Sequence, residues 1–244
     1  MSDRSRNDVV TVKDGHVAVL TMNRPPANLI DREMLAAIGE AVARAVGDPD
    51  VHIIVVTGGE KTFSEGLDLD AFMALGEHDE RGLIRLGREV VRSLEQAPKP
   101  TIAAVAGKAL GAGLEIALAC DMRLAAEDAQ LGHPEVSQGL IPLFGDTERL
   151  EMLIGMSRAR SLIFTGEPIP AWEALEIGLI GKVVPRGVIL EEARIAANRI
   201  AGQPRNAVMA AKRMMLRVQD GGSGDSADAF FKSLSRRNAR KKVK

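Results

Sequence analysis

Aromatic residues and cysteine are scarce in this chain, which has no tyrosine, one tryptophan and one cysteine among 244 residues. Without tyrosine, a phenolic general acid is excluded, and few aromatic rings remain on which nucleic-acid bases could stack. Cys120 alone cannot form an internal disulfide or a multi-cysteine metal site, and a single cysteine is typical of a reducing compartment. Four scattered histidines also argue against a histidine-rich metal site. These absences leave few kinds of side chain for proton transfer.

Charge of neither sign predominates, because 32 basic residues are balanced by 33 acidic ones. A net charge of -1 provides no global field for nucleic acid or an anionic membrane, so any anion must bind at a local site. No apolar run approaches the ~20 residues of a membrane span, and the first ten residues do not resemble a signal peptide. We therefore expect a cytoplasmic protein with no nucleic-acid or membrane partner.

Strand and helix patterns alternate in the first half of the chain, and helices predominate later. Strands are predicted over residues 9–13, 16–21, 51–57, 101–105 and 121–125. Helices are predicted after Asp31, between Asp68 and Gln96, and over residues 112–119, 147–154, 157–164, 171–177, 188–201, 205–218 and 227–242. Asp14-Gly15 suits a hairpin turn between the first two strands, and Asp31 suits an N-cap before apolar residues at helical spacing. The pattern predicts an α/β core with an α-helical C-terminal part.

Lys108 and Glu115 are the charged residues in the otherwise uncharged stretch at residues 101–120, TIAAVAGKALGAGLEIALAC. The helix predicted from Ala112 is apolar or small on every side, so it should be buried together with Glu115. A carboxylate removed from water costs several kcal/mol unless it is paired, hydrogen-bonded or protonated. Glu115 is therefore either a structural group that binds backbone amides or an arginine, or a general acid or base.

Two further features near this helix have a structural and a functional interpretation. Gly111-Ala112-Gly113 lies where the helix should begin, so its unpaired N–H groups could bind an oxyanion, whereas small residues also serve close packing. Glu135 follows Pro134 and is expected at a fixed loop position, ahead of a loop at residues 139–145. A surface glutamate is the simpler explanation of Glu135, and spacing alone leaves open whether it shares a pocket with Glu115.

The longer motifs resemble the crotonase superfamily, and specifically the enoyl-CoA hydratases. They are Asn23-Arg24-Pro25 with Asn28, KTFSEGLD at 61–68, KALGAGLEIALACD at 108–121 and GHPEVSQGLIP at 132–142. The resemblance covers almost the whole chain and implies coenzyme A thioester chemistry. It also implies a spiral of ββα units over residues 1–187, followed by an α-helical trimerisation region over residues 188–244. A homo-trimer or hexamer is implied, with no metal and no cofactor beyond the coenzyme A of the substrate.

The same resemblance implies roles for individual residues. Glu115 and Glu135 match the two catalytic glutamates of hydratases. The backbone N–H groups that form the oxyanion hole for the thioester oxygen in this family fall on Leu67 and Ala112. The coenzyme A-binding positions fall on Lys61, which approaches the phosphates, and on Ser64, Glu65, Gly66 and Asp68.

The activity implied is hydration of the 2,3 double bond of an enoyl-CoA, as in fatty acid metabolism. The two amides would polarise the thioester carbonyl and stabilise an enolate. Water held between the glutamates would add to the β-carbon. Glu115 is expected to activate this water and Glu135 to protonate the α-carbon.

The chain departs from the family pattern near the acyl group and near the coenzyme. Leu67 replaces a usual alanine and is expected to narrow the pocket, although its backbone amide is retained. Asp70 stands where many relatives have a phosphate-binding lysine, and it would repel phosphate. Leu143 and Phe144 replace part of a glycine-rich turn, and we expect them to line the acyl pocket, displacing water or shortening the channel.

Alternatives to hydration follow from these departures and from the basic C-terminal segment. If water is crowded out, one glutamate could move a proton between the α- and γ-carbons, which would make the protein an enoyl-CoA isomerase or another crotonase-type enzyme. Lys232, Arg236 and Arg237 could contact coenzyme A in a neighbouring subunit, or form a solvated or trimer surface. A non-catalytic acyl-CoA-binding role is disfavoured by the two intact glutamates, and an RNA-binding role by the balanced charge and few aromatics.

Overall fold

The computed structural model describes residues 7–219 of the chain. The predicted helix at residues 227–242, with Lys232, Arg236 and Arg237, lies outside the described residues. Within residues 7–219, no helix combines the length and the apolar character that crossing a bilayer requires.

Strands and helices alternate as the sequence predicts over the first half of the chain. The strands are β1 (Val9–Asp14), β2 (Val17–Met22), β3 (Ile53–Thr57), β4 (Thr101–Val105), β5 (Lys108–Leu110), β6 (Met122–Ala126), β7 (Gln130–Gly132), β8 (Ile169–Pro170) and β9 (Lys182–Val184). The helices are α1 (Arg32–Gly47), α2 (Leu69–Met73), α3 (Glu77–Glu95), α4 (Ala112–Leu118), α5 (Asp146–Ile154), α6 (Met156–Thr165), α7 (Ala171–Glu176), α8 (Ile189–Ala201) and α9 (Arg205–Gln219). A short 3₁₀ helix spans Pro134–Gln138.

The larger sheet is six-stranded, in the order β1-β2-β3-β4-β6-β9. The predicted hairpin is confirmed, because β1 pairs antiparallel with β2 across the turn at residues 15–16, while the other neighbours are parallel. Strands β3 and β4 are buried along their whole length, as expected for β-branched and small apolar runs covered on both faces. The sheet thus forms the centre of the molecule.

A second, three-stranded sheet in the order β5-β7-β8 lies beside the first. In this sheet, β5 follows β4 of the larger sheet and leads into α4. In the same way, β7 follows β6 of the larger sheet and leads into the 3₁₀ helix. A parallel bridge between Ser64 and Ala109 continues the same arrangement into the loop after β3. This repetition confirms the α/β spiral of ββα units.

The core lies on both faces of the larger sheet. One cluster joins the sheet to α1, α3 and α4, and the other joins it to α8 through apolar residues such as Ile189, Ala193 and Ala197. The first helix of the expected C-terminal region therefore covers one face of the sheet. The division at residue 188 remains a prediction.

Cys120, at the end of α4, is buried and belongs to the packing. Its environment excludes water, and this burial raises the pKa of its thiol to about 12. The neighbouring carboxylate of Asp121 accepts hydrogen bonds from the backbone of Thr101 and from Nζ of Lys212 on α9, both at 2.7 Å. Cys120 is therefore a protonated structural thiol beside a polar junction between β4 and α9.

The structure differs from the sequence prediction at several short elements. Strands β5, β7, β8 and β9 have two or three residues each and were not predicted, because so short a run has no measurable period. Glu135 is not on a loop: it lies in the 3₁₀ helix, which Pro134 begins. The loop expected after it starts at Gly139, whose φ of +72° ends that helix.

Candidate active site

Glu115 lies in the short helix α4, in which every residue is buried. The helix is apolar or small on all sides, and Glu115 itself is only 1% exposed, as the sequence predicted. Gly111 precedes the helix with φ at +49°, a conformation that favours glycine. This sharp turn connects β5 to α4. It points the N-terminus of the helix toward the loops that come earlier in the sequence.

The backbone N–H of Phe144 donates to Oε1 of Glu115 at 2.7 Å. A backbone amide is one of the structural partners that the sequence left open for Glu115. A hydrogen bond from an N–H stabilises the ionised form of a carboxylate and fixes one of its oxygens in place. Glu115 is therefore held by the backbone, and, as described below, it also lines a cavity.

Glu135 belongs to the 3₁₀ helix, and its carboxyl group lies against the start of α4. A Cβ atom added to Gly111 would lie 2.9 Å from Oε1 of Glu135, so the carboxyl group rests directly against this glycine. Its Oε1 is 3.4 Å from Nδ1 of the buried His133. Its Oε2 is buried and has no hydrogen-bond partner among residues 7–219. A buried carboxyl oxygen in this state is expected to meet a water molecule or a substrate atom.

One cavity unites the two glutamates with the predicted amide donors. It is open to solvent. The lining residues are Glu65, Gly66, Leu67, Leu69, Gly111, Ala112, Glu115, Pro134, Glu135, Gln138, Leu140, Ile141, Leu143 and Phe144. The cavity thus combines three carboxyl groups, those of Glu65, Glu115 and Glu135, with an apolar wall, which is the usual composition of a small-molecule site.

Leu67 and Ala112 both line this cavity, and their backbone N–H groups donate to no other described group. The positive φ of Gly66 (+100°) brings its Cα close to α4, because an added Cβ would lie 3.6 Å from the amide nitrogen of Ala112. Gly113 is equally close to the loop, since a Cβ there would meet the carbonyl oxygen of Ser64 at 2.6 Å. The glycines therefore serve close packing, and that packing brings the loop that carries Leu67 against the start of α4, where Ala112 lies.

Asn28 holds the loop that follows β3. Its side-chain amide nitrogen donates to the carbonyl oxygens of Gly58, Thr62 and Phe63 at 2.9–3.2 Å, and its Oδ1 accepts from the backbone of Arg24 at 2.9 Å. Asn28 is buried and has a φ of +49°, a conformation that asparagine tolerates better than most residues. The side chain of Asn28 thus fixes the conformation of this loop.

The residues expected to bind coenzyme A lie along this loop, in different environments. Lys61 is exposed and forms no ion pair with another described residue. Glu65 lines the cavity and pairs with Lys108 at 3.1 Å. Ser64 is fully buried, and its hydroxyl donates to the carbonyl oxygen of Asn28 at 2.7 Å. Ser64 therefore lies beneath the cavity wall, while Lys61 and Glu65 remain open to a ligand.

Asp68 and Asp70 lie at the start of α2. The carboxylate of Asp68 caps this helix by accepting from the N–H of Ala71 and pairs with Arg24 at 2.7 Å, so it already has structural partners. Asp70 is exposed on the first turn of this helix. Contact between Asp68 and coenzyme A remains a prediction, as does repulsion of a coenzyme A phosphate by Asp70.

Leu143 and Phe144 line the cavity, and their contact with an acyl group remains a prediction. Phe144 is only 2% exposed, because its ring lies on Gly87 of α3. Sequence reasoning found these residues as departures from a pattern, but it did not find the hydrogen bond from Phe144 to Glu115. It also missed Lys108 beside Glu65 and the hydrogen bonds of Asn28, because each depends on segments that are distant in the sequence.

The chain is similar in sequence and in structure to known proteins. A family model described as enoyl-CoA hydratase/isomerase matches residues 13–226. The chain is 41% identical over 213 residues to the short-chain-enoyl-CoA hydratase of Clostridium acetobutylicum, covering 86% of this chain and 82% of the relative. It is 40% identical over 207 residues to the crotonyl-CoA hydratase of Syntrophomonas wolfei, covering 84% and 80%. An enoyl-CoA hydratase structure from Bacillus anthracis superposes with a TM-score of 0.88 at 33% identity, covering 94% and 91%.

Proposed function

Because the chain belongs to the enoyl-CoA hydratase/isomerase family, we propose that it adds water across the 2,3 double bond of a short-chain enoyl-CoA. The observation that carries this proposal is the shared cavity, which is lined by Glu115, by Glu135 and by two residues whose backbone N–H groups have no partner among the described residues. The apolar wall of Leu140, Ile141 and Leu143 suits an acyl chain. The names of the two bacterial relatives support a short one.

The proposed reaction begins with the thioester carbonyl in the oxyanion hole. The N–H groups of Leu67 and Ala112 stabilise the negative charge that develops on the carbonyl oxygen when the β-carbon is attacked. Glu115 accepts a proton from the attacking water, whose oxygen forms a bond to the β-carbon. Glu135 then gives a proton to the α-carbon.

The product is a 3-hydroxyacyl-CoA, and the reaction includes no oxidation or reduction. One water molecule is consumed, and exchange of a proton between the carboxyl groups and solvent restores the starting state. In this proposal no resident cofactor is needed, because coenzyme A arrives with the substrate. The free Oε2 of Glu135 is well suited to bind the water or to face the α-carbon.

The direct test is incubation of the purified protein with crotonyl-CoA, following the loss of absorbance from the conjugated enoyl group. We expect hydration by the unaltered protein. Absence of hydration with enoyl-CoA substrates of four to ten carbons would contradict the proposal, provided that the protein is folded.

Isomerisation is the second candidate, and one contact favours it specifically. Oε1 of Glu115 accepts a hydrogen bond from the amide of Phe144, while Oε2 of Glu135 has no partner in the part of the chain that the structure describes. If Glu135 alone moves protons, a 3-enoyl-CoA would be converted to the conjugated isomer. Isomerase activity that survives Glu115→Gln but not Glu135→Gln would support this alternative over hydration.

Lys61 is the proposed contact for a coenzyme A phosphate. It is exposed beside the cavity loop, and its ammonium group forms no ion pair within residues 7–219. We expect Lys61→Ala to raise KM for crotonyl-CoA by about fivefold to tenfold with little change in kcat, because a surface charge contact is worth about 1 kcal/mol and acts equally in the ground and transition states. Steady-state kinetics over a range of ionic strengths measures both constants.

Lys13→Ala provides the control for this prediction. Lys13 is also exposed, but it pairs with Asp48 at 2.9 Å, at the edge of the sheet. We expect its replacement to leave KM unchanged. If Lys61→Ala instead lowers kcat and leaves KM unchanged, Lys61 has a different role from the one proposed.

We also propose that the protein acts in the cytoplasm as a homo-trimer or hexamer. A single cysteine in the chain suits a reducing compartment. Assembly is supported by an open groove where Met122, Met152 and Met215 expose 42%, 59% and 71% of their surface. Such a concentration of exposed apolar side chains often marks an interface. Light scattering on the full chain measures the assembly directly.

A further inference from the structure

The peptide group between Leu143 and Phe144 bridges two helices. Its carbonyl oxygen accepts a hydrogen bond from Nε of Arg88 on α3 at 2.9 Å. Its N–H donates to Oε1 of Glu115 on α4 at 2.7 Å. The C=O and N–H of a trans peptide point in opposite directions and lie in one rigid plane. A rotation or shift of this peptide therefore disturbs the contact with Glu115.

The Phe144 ring fixes the same residue from its other end. A Cβ atom on Gly87 would lie 2.2, 2.4 and 2.5 Å from three carbons of this ring, so the ring rests directly on the backbone of α3. Gly87 lies within α3 and is buried. Glycine in a helix interior costs roughly 0.5–1 kcal/mol relative to alanine, so its presence here has a local reason. That reason is the space that the ring occupies.

We propose that Gly87 and Phe144 form a positioning pair that sets the place of the Glu115 carboxyl group in the cavity. Neither residue needs to touch the reacting atoms with its own side chain. The ring on Gly87 fixes Phe144, the fixed residue directs its N–H at Glu115, and the hydrogen bond holds one carboxyl oxygen. The other face of Glu115 is thereby oriented toward the water that it is proposed to activate.

Gly87→Ala tests the proposal directly, because its methyl group cannot coexist with the ring in its present place. The ring must move, and the N–H of the same residue must move with it. We expect kcat for crotonyl-CoA hydration to fall by at least about tenfold with KM changed less than about twofold, since a displacement near 1 Å at a reacting group can cost about 100-fold. If Gly87 has only a structural role, Gly87→Ala should lower the thermal stability without lowering kcat more than it changes KM.

Gly82→Ala on the same helix is the matched control. A Cβ at this position would meet only the end of the Arg32 side chain, at 3.1 Å, and that side chain can move. Both substitutions improve the helix propensity of α3 equally. We expect Gly82→Ala to keep the activity of the unaltered protein.

The Phe144→Ala background separates a clash with the ring from a general effect on α3. Without the ring, Gly87→Ala has nothing to displace, so we expect it to cause no further loss of kcat in that background. An equal loss in both backgrounds would overturn the proposal.

Should Gly87→Ala fold poorly, Arg88→Met removes the other anchor of the peptide without a clash, and Arg92→Met one turn later is its control.

Amide hydrogen exchange gives a readout that does not depend on the activity. The Phe144 N–H is buried and hydrogen-bonded, so we expect slow exchange in the unaltered protein and in Gly82→Ala. In Gly87→Ala we expect exchange at least about tenfold faster at this amide. Unchanged exchange would overturn the positioning role whether or not the protein hydrates crotonyl-CoA, whereas an inactive unaltered protein with the expected exchange pattern would overturn only the proposed hydration.

Discussion

Glu135→Gln is expected to lower kcat for crotonyl-CoA hydration by about 100- to 10,000-fold, which is the usual contribution of a positioned general acid or base. Glutamine keeps the size of the side chain but cannot deliver a proton to the α-carbon. Because Oε2 of Glu135 has no protein partner among the described residues, the substitution should break no structural hydrogen bond there. Steady-state kinetics and thermal unfolding of the same preparation distinguish lost chemistry from lost folding.

Glu115→Gln should produce a loss of the same order for hydration. Its amide oxygen can still accept the hydrogen bond from Phe144, so the loop is expected to stay in place. Glu89→Gln is the matched control, because Glu89 is an exposed carboxylate on α3 outside the cavity. Full activity in either active-site variant would mean that the remaining glutamate performs the reaction alone.

Ala112→Pro is expected to reduce kcat by about 100- to 1000-fold, or about 2.7–4 kcal/mol, which is the cost of removing one donor from an oxyanion hole. Proline has no N–H, and it is tolerated at the first position of a helix, where Ala112 lies. The substitution therefore removes the donor at the one place in α4 where the helix can accept it.

Ala112→Gly and Ala112→Ser keep this N–H and serve as controls for Ala112→Pro. We expect both to retain kcat within about threefold, because the donor belongs to the backbone and not to the side chain. A similar loss in all three variants would indicate that the packing of Ala112 matters and that its amide does not. Circular dichroism of the proline variant checks that the helix content is preserved.

The parts of the fold that sequence predicted best are those with a local cause. The Asp31 side chain accepts from the N–H of Met34 and so caps α1 as expected, and the apolar residues after it face the core. Burial of Glu115 followed from the composition of α4 alone. Both depend on neighbours within a few residues of the chain.

The site itself required contacts between distant segments. No local pattern indicates that Phe144 rests on Gly87, 57 positions earlier, because the contact depends on how the loop after the 3₁₀ helix packs on α3. The short strands β5 and β7 also depend on contacts between distant segments, since each is defined by its pairing partner and not by its own sequence. The resemblance to a family supplied residue roles, but it could not supply the contacts that differ in this chain.

Asn28 has a consequence for the affinity of the site. A free loop that becomes ordered around a ligand loses conformational entropy at the moment of binding, at roughly 1–2 kcal/mol for each residue fixed. Here one buried amide group already holds the carbonyl oxygens of Gly58, Thr62 and Phe63. The loop that carries Lys61 therefore becomes ordered when the protein folds. A substrate then binds to a loop that is already ordered. Loosening this segment should weaken substrate affinity even though Asn28 is buried away from the cavity.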